Sequence, residues 1–428
     1  MKLNVLILTH NFLPEFTGAA TMQFELARFL VQSGHSVTVI TTTPDHHMVD
    51  KRHSRNRQSE MIDGIQVIRI NPPRLAKSTL INREINSIMA DFLLVIKGLS
   101  IKPVDILFML TPPITLPIFA AAIKKIRKSI LVMYMQDVFP EFLISMGVMT
   151  RSNVLFRVAK SMEKIAYRSA DCIGVHSPKN KAYVQSCGIH QEKIQVIPLW
   201  VDADFLSNPG NAKEFADIEG LDSKFVIMYA GTVGYAMGAR TIPQAAKRLE
   251  HHKDIRFVVV GEGSRYEEMQ AEMQRLEVAN ILLIPPRPRE ELPHLLGSSD
   301  ILLVLLRQEL SDNPNGYFRA VIPHKLLTNM AVGKPVLLSA EPQSDAAALV
   351  RLSNCGVTVN PEDPEAIAQA ILELKQDPSI MRVQGENGRK FAAENFNSTH
   401  LVRHMEEFFV HLKSKTPYEF NNPWKLPE

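Results

Sequence analysis

Near its start the chain reads NVLILT at residues 4–9, ATMQFELARFLVQS at residues 20–33 and VTVITT at residues 37–42. The first and third segments are continuous apolar runs rich in β-branched residues, which is typical of strands buried on both faces. The middle segment has helical spacing and stops at Gly34, a residue that commonly ends helices. A strand, a helix and a strand in this order predict a βαβ unit and hence a doubly wound parallel sheet of the α/β class.

The same alternation continues along the chain and is interrupted once. Further strands of the first series are predicted at residues 65–70, 106–110, 130–135 and 172–175. Residues 207–223 are polar and rich in turn formers, as a linker would be. A second series is predicted at residues 225–230, 256–260, 281–284, 301–306, 336–338 and 357–359, followed by a last helix near residues 399–413.

We therefore predict two Rossmann-like domains, at residues 1–200 and 201–395, and a C-terminal helix and tail at residues 396–428 that cross back to the first domain. Ligands bind doubly wound sheets at the carboxyl ends of the strands. The expected site is therefore the cleft between two facing domains.

The formal net charge of the 428 residues is only +3, but it is unevenly distributed. Residues 1–200 contain 24 Lys and Arg against 14 Asp and Glu, whereas the remaining residues contain 24 against 31. Nucleic acid is not an expected partner, because no aromatic residues are interleaved with the basic ones and no nucleic-acid motif is present. An anionic membrane or a pyrophosphate-bearing acceptor fits the basic half, and a solvated basic surface is the alternative. The candidate membrane contacts are Lys51, Arg52, Arg55, Arg57 and the stripe between Arg157 and Arg168.

That stripe lies on a helix with two different faces, predicted over residues 151–169. One face carries Val154, Leu155, Val158, Met162 and Ile165, and the other carries Arg157, Lys160, Lys164 and Arg168. We expect the basic face to be solvated, with a membrane contact as the alternative.

The three cysteines, Cys172, Cys187 and Cys355, fit neither a disulfide framework nor a metal site, and we expect a reducing cytoplasm. The apolar run at the N-terminus is too short for a signal peptide, and no long uncharged apolar stretch predicts a membrane span.

Polar residues and glycines follow several of the predicted strands. Residues 11–20 link the first strand to the first helix and include Gly18, which allows backbone N–H groups to approach an anion. This loop is not GxGxxG, so NAD binding is weakly supported. The segment Gln136–Glu141 follows the strand at residues 130–135 and places Asp137 at a strand end, where helix capping is the alternative role.

In the second half, glycine-rich strand ends at residues 230–234 and 261–263 suit the approach of a phosphate. Basic segments follow at residues 285–292 and 324–336. The pair Asp202 and Asp204 has the spacing of a metal-binding Asp-x-Asp, but it lies in the predicted linker and we attribute it to chance.

Seven motifs then recur in a familiar order, namely Thr17-Gly18, Gly34–Val39, Ser169–Ile173, Pro198–Asp202, Tyr229–Gly231, Val260–Gly263 and Met330–Val336. With these motifs the chain resembles the family-4 retaining glycosyltransferases of GT-B fold over nearly its whole length. Gln136–Glu141 and Pro323–Lys325 are most similar to the bacterial branch that builds O-antigen, capsule and exopolysaccharide, including fucosamine and fucose transferases.

The resemblance implies a UDP- or GDP-linked sugar donor held mainly by the second domain and a lipid-pyrophosphate or oligosaccharide acceptor on the first. It implies retention of configuration, no metal or other cofactor, and a leaving phosphate that helps to deprotonate the acceptor. It also suggests a cytoplasmic protein, peripheral at the inner face of the membrane. On this basis we assign catalytic roles to Asp137 and Lys325, donor contacts to Gly18, Gly231, Thr232, Glu262, Arg287, Arg319, His324 and Thr328, and acceptor contacts to His10, Gln136 and Glu141.

The sequence departs from the family at two places. The usual Glu-x7-Glu falls on Ala320 and Thr328, and the basic pair after the Tyr-x-Gly strand falls near Val233 and Met237. We expect an active enzyme with weaker or shifted ribose recognition. A non-catalytic GT-B subunit is the alternative that the missing carboxylates favour, and a nucleotide-sugar epimerase is a third possibility without a matching motif.

Overall fold

The computed structural model describes residues 1–15, 17–44, 58–73, 80–147, 149–202, 205–206, 221 and 223–416. The described residues belong to two compact units. Among those residues, unit 1 comprises the described parts of Met1–Pro140 and Met149–Pro198 together with residues 399–416, and unit 2 comprises residues 141–147 and the described parts of Leu199–Ser398. Lys51, Arg52, Arg55, Arg57, Asp204 and most of the predicted linker lie outside the described residues.

Unit 1 contains an eight-stranded sheet within the part of the chain that the structure describes. Its strands are β1 (Asn4–Leu8), β2 (Ser36–Thr42), β3 (Ser59–Ile62), β4 (Ile65–Ile70), β5 (Ile106–Thr111), β6 (Ile130–Met135), β7 (Cys172–Val175) and β8 (Ile194–Val196). Their order is β3-β4-β2-β1-β5-β6-β7-β8, and every pairing is parallel except that of β3 with β4. The predicted strands are therefore present, and two short edge strands, β3 and β8, are added to them.

The helices of unit 1 bury the two faces of this sheet. They are α1 (Gly18–Gln32), α2 (Leu80–Gly98), α3 (Thr115–Arg127), α5 (Val154–Ser169) and α6 (Pro178–Ser186). The last helix of the chain, α15 (Ser398–Ser414), also packs on unit 1. Its Phe409 ring lies 5.7 Å from that of Phe108, and its Glu406 accepts a 2.8 Å hydrogen bond from His35.

Unit 2 contains a six-stranded, wholly parallel sheet in its described residues. Its strands are β9 (Phe225–Ala230), β10 (Ile255–Val260), β11 (Ile281–Ile284), β12 (Ile301–Leu305), β13 (Val336–Ser339) and β14 (Gly356–Val359). The order β11-β10-β9-β12-β13-β14 is that of a dinucleotide-binding Rossmann sheet, in which chain order reverses beside the first strand. The switch points therefore lie between β1 and β5 in unit 1 and between β9 and β12 in unit 2.

The helices of unit 2 cover its sheet. They are α4 (Glu141–Ser145), α7 (Thr241–Arg248), α8 (Tyr266–Arg275), α9 (Leu292–Gly297), α10 (Tyr317–Ala320), α11 (His324–Val332), α12 (Asp345–Ser353), α13 (Pro364–Gln376) and α14 (Pro378–Asn395). Helix α4 lies within the first predicted domain in sequence but packs in unit 2, where its Phe142 ring lies 5.2 Å from that of Tyr317.

The orientation of helix α5 differs from the prediction, in which the basic face is solvated and the apolar face is buried. Val154, Leu155, Val158 and Ile165 are exposed, whereas Phe156, Ala166 and Tyr167 face the core. Lys160, which was expected on the solvated face, reaches inward to the buried carboxylate of Glu163 at 2.6 Å. The hydroxyls of Tyr167 and Tyr183 donate to the same carboxylate. A satisfied polar cluster thus occupies the inner face, which leaves the apolar stripe outside.

Candidate functional site

The residues that follow β9 and β10 in unit 2 are glycines whose backbone atoms pack directly against each other. Gly231 and Gly261 have φ values of +132° and +143°, in a region that side-chain-bearing residues rarely adopt. A Cβ on Gly261 would lie 2.2 Å from the carbonyl oxygen of Gly231, and one on Gly263 would lie 2.4 Å from that of Val233. Glycine is therefore required at these strand ends, and the exposed backbone at Gly231 and Thr232 is open to a ligand.

Lys325 reaches this strand end from the first turn of α11. Its ammonium lies 4.0 Å from the centre of the Tyr229 ring and donates to the Tyr229 hydroxyl at 2.5 Å. That hydroxyl donates in turn to the carbonyl of Thr232 at 2.8 Å. A Cβ placed on Gly231 would lie 3.0 Å from the Lys325 nitrogen, so the cation stands directly beside the glycine.

No carboxylate forms an ion pair with Lys325 in the part of the chain that the structure describes. Burial lowers the pKa of Lys325 from 10.5 to about 7, because the charged form has lost solvent without gaining a counter-ion. Burial also raises the pKa of Tyr229, so its hydroxyl stays protonated. An anionic ligand at Gly231 would supply the missing counter-charge.

The N-terminus of α11 carries two other predicted donor residues. Its N-cap is Pro323, which makes no side-chain cap, so the first N–H groups of the helix have no side-chain acceptor from the cap. His324 donates from Nε2 to the carbonyl of Trp200 at 2.9 Å, and burial lowers its pKa to about 4. Thr328 donates its hydroxyl to the carbonyl of Lys325 at 3.1 Å, which leaves only its acceptor lone pairs available.

The remaining predicted donor residues of unit 2 are arranged less tightly. Glu262 and Arg287 are exposed, and Arg287 lies 3.9 Å from Glu291. Arg319 forms an ion pair with Glu341 at 2.8 Å and donates to the carbonyl of Asn313 at 2.9 Å. Its guanidinium therefore stabilises the loop after β12. Its role in binding the donor stays a prediction.

Unit 1 brings His10 to its own switch point. His10 follows β1, and its Nε2 lies 2.6 Å from Oδ1 of the fully buried Asp91 on α2. The other oxygen of Asp91 accepts a hydrogen bond from the Thr115 hydroxyl. The hydroxyls of Thr41 and Thr42 donate to the carbonyl of His10, at 3.2 and 2.8 Å. The backbone of His10 and the Nε2 side of its imidazole are thus both held by hydrogen bonds, while part of the ring remains solvent-accessible.

Gln136 and Asp137 lie directly after β6 in the same unit and are partly buried. The carbonyl of Gln136 accepts a hydrogen bond from His176 at 2.9 Å, and burial lowers the pKa of that imidazole to about 4. Glu141, which was predicted beside them, begins α4 and belongs to unit 2. Gly18 begins α1, whose N-terminus is already capped by the hydroxyl of Thr17.

Sequence reasoning missed Asp91, Tyr229 and His176. Asp91 was missed because its neighbours in the sequence of α2 are apolar. The one feature that could have indicated it is a charged residue on the side of the helix that is predicted to be buried. Tyr229 belonged to a quoted motif but was interpreted only as a strand residue. Asp202, whose resemblance to a metal ligand we attribute to chance, forms an ion pair with Arg289 at 2.9 Å.

Among the described residues, no group of three or more His, Cys, Asp or Glu side chains is placed to hold a metal ion. No helix in the described ranges has the length and apolar character needed to cross a bilayer.

Two family models match consecutive parts of the chain. "Glycosyltransferase Family 4" matches residues 16–205, and "Glycosyl transferases group 1" matches residues 211–391. The chain is 23% identical over 418 residues to WcaI of Escherichia coli strain K12, whose name assigns it to colanic acid biosynthesis as a glycosyl transferase. That alignment covers 94% of this chain and 98% of WcaI.

Solved structures share the fold at low identity. Sucrose-phosphate synthase from Thermosynechococcus elongatus superposes with a TM-score of 0.77 at 15% identity, covering 97% of this chain and 100% of that one. HepE from Anabaena, solved with UDP-glucose, superposes with a TM-score of 0.70 at 16% identity, covering 95% and 99%. The chain therefore carries a Glycosyltransferase Family 4 domain followed by a Glycosyl transferases group 1 domain and is a glycosyltransferase of the GT-B fold.

Proposed function

We propose that this glycosyltransferase moves a sugar from a UDP- or GDP-linked donor to a lipid-pyrophosphate or oligosaccharide acceptor in bacterial surface polysaccharide synthesis. We further propose that it works with retention of configuration and without a metal, on the cytoplasmic face of the membrane. The relative WcaI supports the pathway, and the HepE complex with UDP-glucose supports the donor class.

The observation that carries this proposal is the position of Lys325 beside Gly231. The family's basic pair is replaced near Val233 and Met237, and both of these side chains are buried in the core. Lys325 brings a cation to the same strand end from α11 instead. A point cation next to the exposed residues Gly231 and Thr232 and to a helix N-terminus without a side-chain cap suits the diphosphate of a nucleotide sugar.

In the proposed reaction the bond between the anomeric carbon and the donor phosphate breaks, and the acceptor oxygen bonds to that carbon on the same face. The acceptor proton passes to an oxygen of the leaving phosphate. Lys325 and the first N–H groups of α11 stabilise the charge that develops on this phosphate, which is usually the largest catalytic contribution. In unit 1, Asp137, Gln136 and His10 would orient the acceptor hydroxyl.

Nucleotide-sugar preference is the first point to test. A thermal-shift screen of the purified chain with UDP, GDP and ADP sugars should reveal the donor, because a ligand that binds only the native state raises the melting temperature. Fucose-type donors belong in the first set, given the resemblance to fucosamine and fucose transferases. Transfer to a polyprenyl-pyrophosphate-linked sugar, with the anomeric configuration of the product read by NMR, then tests retention.

The metal requirement is tested in the same assay. We expect full transfer in excess EDTA, because Lys325 supplies the positive charge at the proposed diphosphate site. Loss of activity in EDTA with recovery in magnesium or manganese would disprove this part, and an inverted product would disprove retention.

A non-catalytic subunit is the second candidate, favoured by Ala320 and Thr328 at the family's glutamate positions. Ala320 is fully buried and has no polar group to offer. The two functions separate in the screen: a scaffold would neither bind a nucleotide sugar nor hydrolyse one slowly in the absence of acceptor. Release of an epimerised sugar would instead indicate an epimerase.

A further inference from the structure

A cluster of titratable side chains lies inside unit 1, on α5 and α6, and the proposed reaction uses none of them. The carboxylate of Glu163 on α5 is fully buried and accepts hydrogen bonds from the hydroxyls of Tyr167 and Tyr183, at 3.0 and 2.7 Å. The ammonium of Lys160, one turn earlier on the same helix, lies 2.6 Å from this carboxylate. An amine and a proton acceptor are therefore in direct contact at the edge of the core.

Cys187 brings a thiol into this cluster. It is the C-cap residue of α6, and its Sγ lies 3.7 Å from Nζ of Lys160 and 3.8 Å from an oxygen of Glu163. Cys187 is 8% exposed, whereas 25% of the Lys160 side chain is exposed. The pair is thus closer to solvent at the amine than at the sulfur, and only a small molecule can reach the thiol.

The surroundings of Cys187 select its reaction partner. Burial, and next the Glu163 carboxylate, raise the pKa of the Cys187 thiol to about 11, so it stays protonated near neutral pH and reacts slowly. Cys172 and Cys355 are free and buried as well. A sulfenic acid condenses with a thiol or a nitrogen that lies beside it. For Cys187 that neighbour is the amine of Lys160.

We propose that Lys160 and Cys187 form a redox modification site, at which peroxide joins the two side chains through one oxygen atom, as Sγ–O–Nζ. The first peroxide oxidises the thiol to a sulfenic acid, and its other oxygen leaves as water. The second peroxide takes one hydrogen from the sulfenic hydroxyl and one from the amine, the O–N bond forms, and this peroxide leaves as two molecules of water. Sulfur and nitrogen each lose two electrons, which the two peroxides accept.

Glu163 supplies the proton acceptor that this step needs, because the ammonium of Lys160 must become an amine before its nitrogen can bond to oxygen. The carboxylate lies 2.6 Å from the ammonium, and burial raises the pKa of Glu163. The bridge also requires nitrogen and sulfur to lie somewhat closer together than 3.7 Å. The flexible four-carbon stem of Lys160 permits this approach without movement of the helices.

The bridge fastens α5 to the end of α6 by covalent bonds. It joins positions that are 27 residues apart, and a cross-link over such a loop stabilises a folded domain chiefly by restricting the unfolded chain. Unit 1 is therefore more stable under oxidising conditions. The proposal goes beyond the proposed function and does not rest on it, since the bridge needs neither donor nor acceptor.

Peptide mass mapping of the full wild-type chain before and after treatment with hydrogen peroxide tests the proposal. We expect the tryptic peptides 158–164 and 182–193 to appear as one species, about 14 Da heavier than their sum, because one oxygen is gained and two hydrogens are lost. Dithiothreitol should restore the separate peptides. The melting temperature should rise by roughly 5 °C on oxidation and return on reduction.

Lys160→Arg is the matched variant, because it keeps a cation beside Glu163 but has no primary amine to bridge. After the same treatment it should give neither the joined peptides nor the reversible rise in melting temperature, and Cys187→Ser should behave in the same way. The treated Lys160→Arg chain also accounts for any stability lost through methionine oxidation. Lys164→Arg, which changes an exposed lysine of the same helix, should cross-link as the wild type does.

Cys355, which is fully buried in unit 2, is the internal control and should stay reduced. A wild-type Cys187 that stays reduced, or that becomes a sulfinic acid with peptide 158–164 unlinked, would overturn the proposal. A joined species about 2 Da lighter than the sum of the peptides would also overturn it, because sulfur would then be bonded to nitrogen without the oxygen.

Discussion

The two units of this protein share the order of six parallel strands but differ in their surfaces and in the residues at their strand ends. Unit 1 exposes apolar stripes on α2 and α5, which include Phe92 and Val154, whereas the exposed apolar residues of unit 2 include Tyr235 and Leu310, which lie in loops. At its switch point unit 1 holds side chains in hydrogen-bonded pairs, as in His10 with the buried Asp91, whereas unit 2 uses glycine backbone and a single lysine. The alternation of buried strands and helices determines the Rossmann fold of both units. It does not determine which residues lie on the surface or follow the strands, so these differ between the units.

The largest effect is expected at the lysine of unit 2. Lys325→Met should lower kcat/KM by about 10²–10³-fold, because it removes a group that stabilises charge on the leaving phosphate. Donor affinity of the wild type should weaken as pH rises through about 7, where Lys325 loses its proton, and this dependence should vanish in the variant. Calorimetry of donor binding between pH 6 and 9 measures both.

The same substitution should raise stability near pH 7 by about 1–3 kcal/mol, because it removes a buried charge without a counter-ion. Lys334→Met is the control: burial also lowers the pKa of Lys334, but that lysine lies at the opposite end of α11 and is partly compensated by Asp300. Its transfer rate should match that of the wild type. If Lys325→Met transferred sugar at the wild-type rate, Lys325 would not act on the leaving phosphate, and the proposed difference between the two units would be wrong.

The glycine backbone of unit 2 should be nearly as sensitive. Gly261→Ala should cost about 3 kcal/mol, since a Cβ would lie 2.2 Å from the Gly231 oxygen at a φ of +143°. Gly188→Ala in unit 1 has a φ of +82° but no atom within 4 Å of the added Cβ, so we expect about 1 kcal/mol. Urea denaturation of the two variants measures the difference; equal losses would mean that backbone strain, not the close approach, governs both sites.

A pH effect should be common to both units. Burial lowers the pKa of His176 in unit 1 and of His324 in unit 2 to about 4 each, below the ordinary value of 6.5. Each neutral imidazole therefore contributes stability that is fully present above about pH 6.5 and is lost as pH falls towards 4, by up to about 3 kcal/mol. Melting curves from pH 7 to pH 4 should fall less steeply in His176→Gln and in His324→Gln.

A smaller effect is expected at the paired side chains of unit 1. Asp91→Asn should lower kcat about tenfold, because the amide can reverse the hydrogen bond to His10 and change which ring nitrogen carries the proton. The acceptor KM and the pH–rate profile should move with it, while ¹⁵N NMR of His10 reports the tautomer. A variant that loses stability but keeps the wild-type pH profile would reduce Asp91 to a structural role.

The smallest effect concerns the missing family carboxylate. Thr328→Glu should strengthen donor binding by about 1–2 kcal/mol, because a charged acceptor for the ribose hydroxyls replaces a single neutral hydroxyl. Titration with the donor identified in the screen measures the gain, and Thr328→Gln separates size from charge. Unchanged binding would show that Thr328 does not face the ribose.

Much of the scaffold could be predicted from the sequence because its strands are continuous apolar runs. Each predicted strand lies within two residues of an observed one, while β3 and β8 were missed because short edge strands such as Ser59–Ile62 carry few buried residues. At the strand ends of unit 2, the sequence predicted Gly231 and Gly261 because glycine allows close approach of backbone there, whereas Lys325 on α11 was assigned from the family resemblance and its role at the donor stays a prediction. Asp91 was not predicted, because nothing local links a residue of α2 to His10, 81 positions away.

The sequence by itself determined the two α/β units, their parallel sheets and the glycines at the strand ends, since those depend on local periodicity and on backbone conformation. The tertiary structure alone decided which side of α5 meets solvent. Helical spacing defines two faces but does not say which one packs, and here two tyrosines and Lys160 satisfy Glu163 on the inner face, which turns the apolar stripe outward. It also decided that Lys325 approaches Gly231, because only the packing of α11 beside β9 brings residues 94 positions apart into contact.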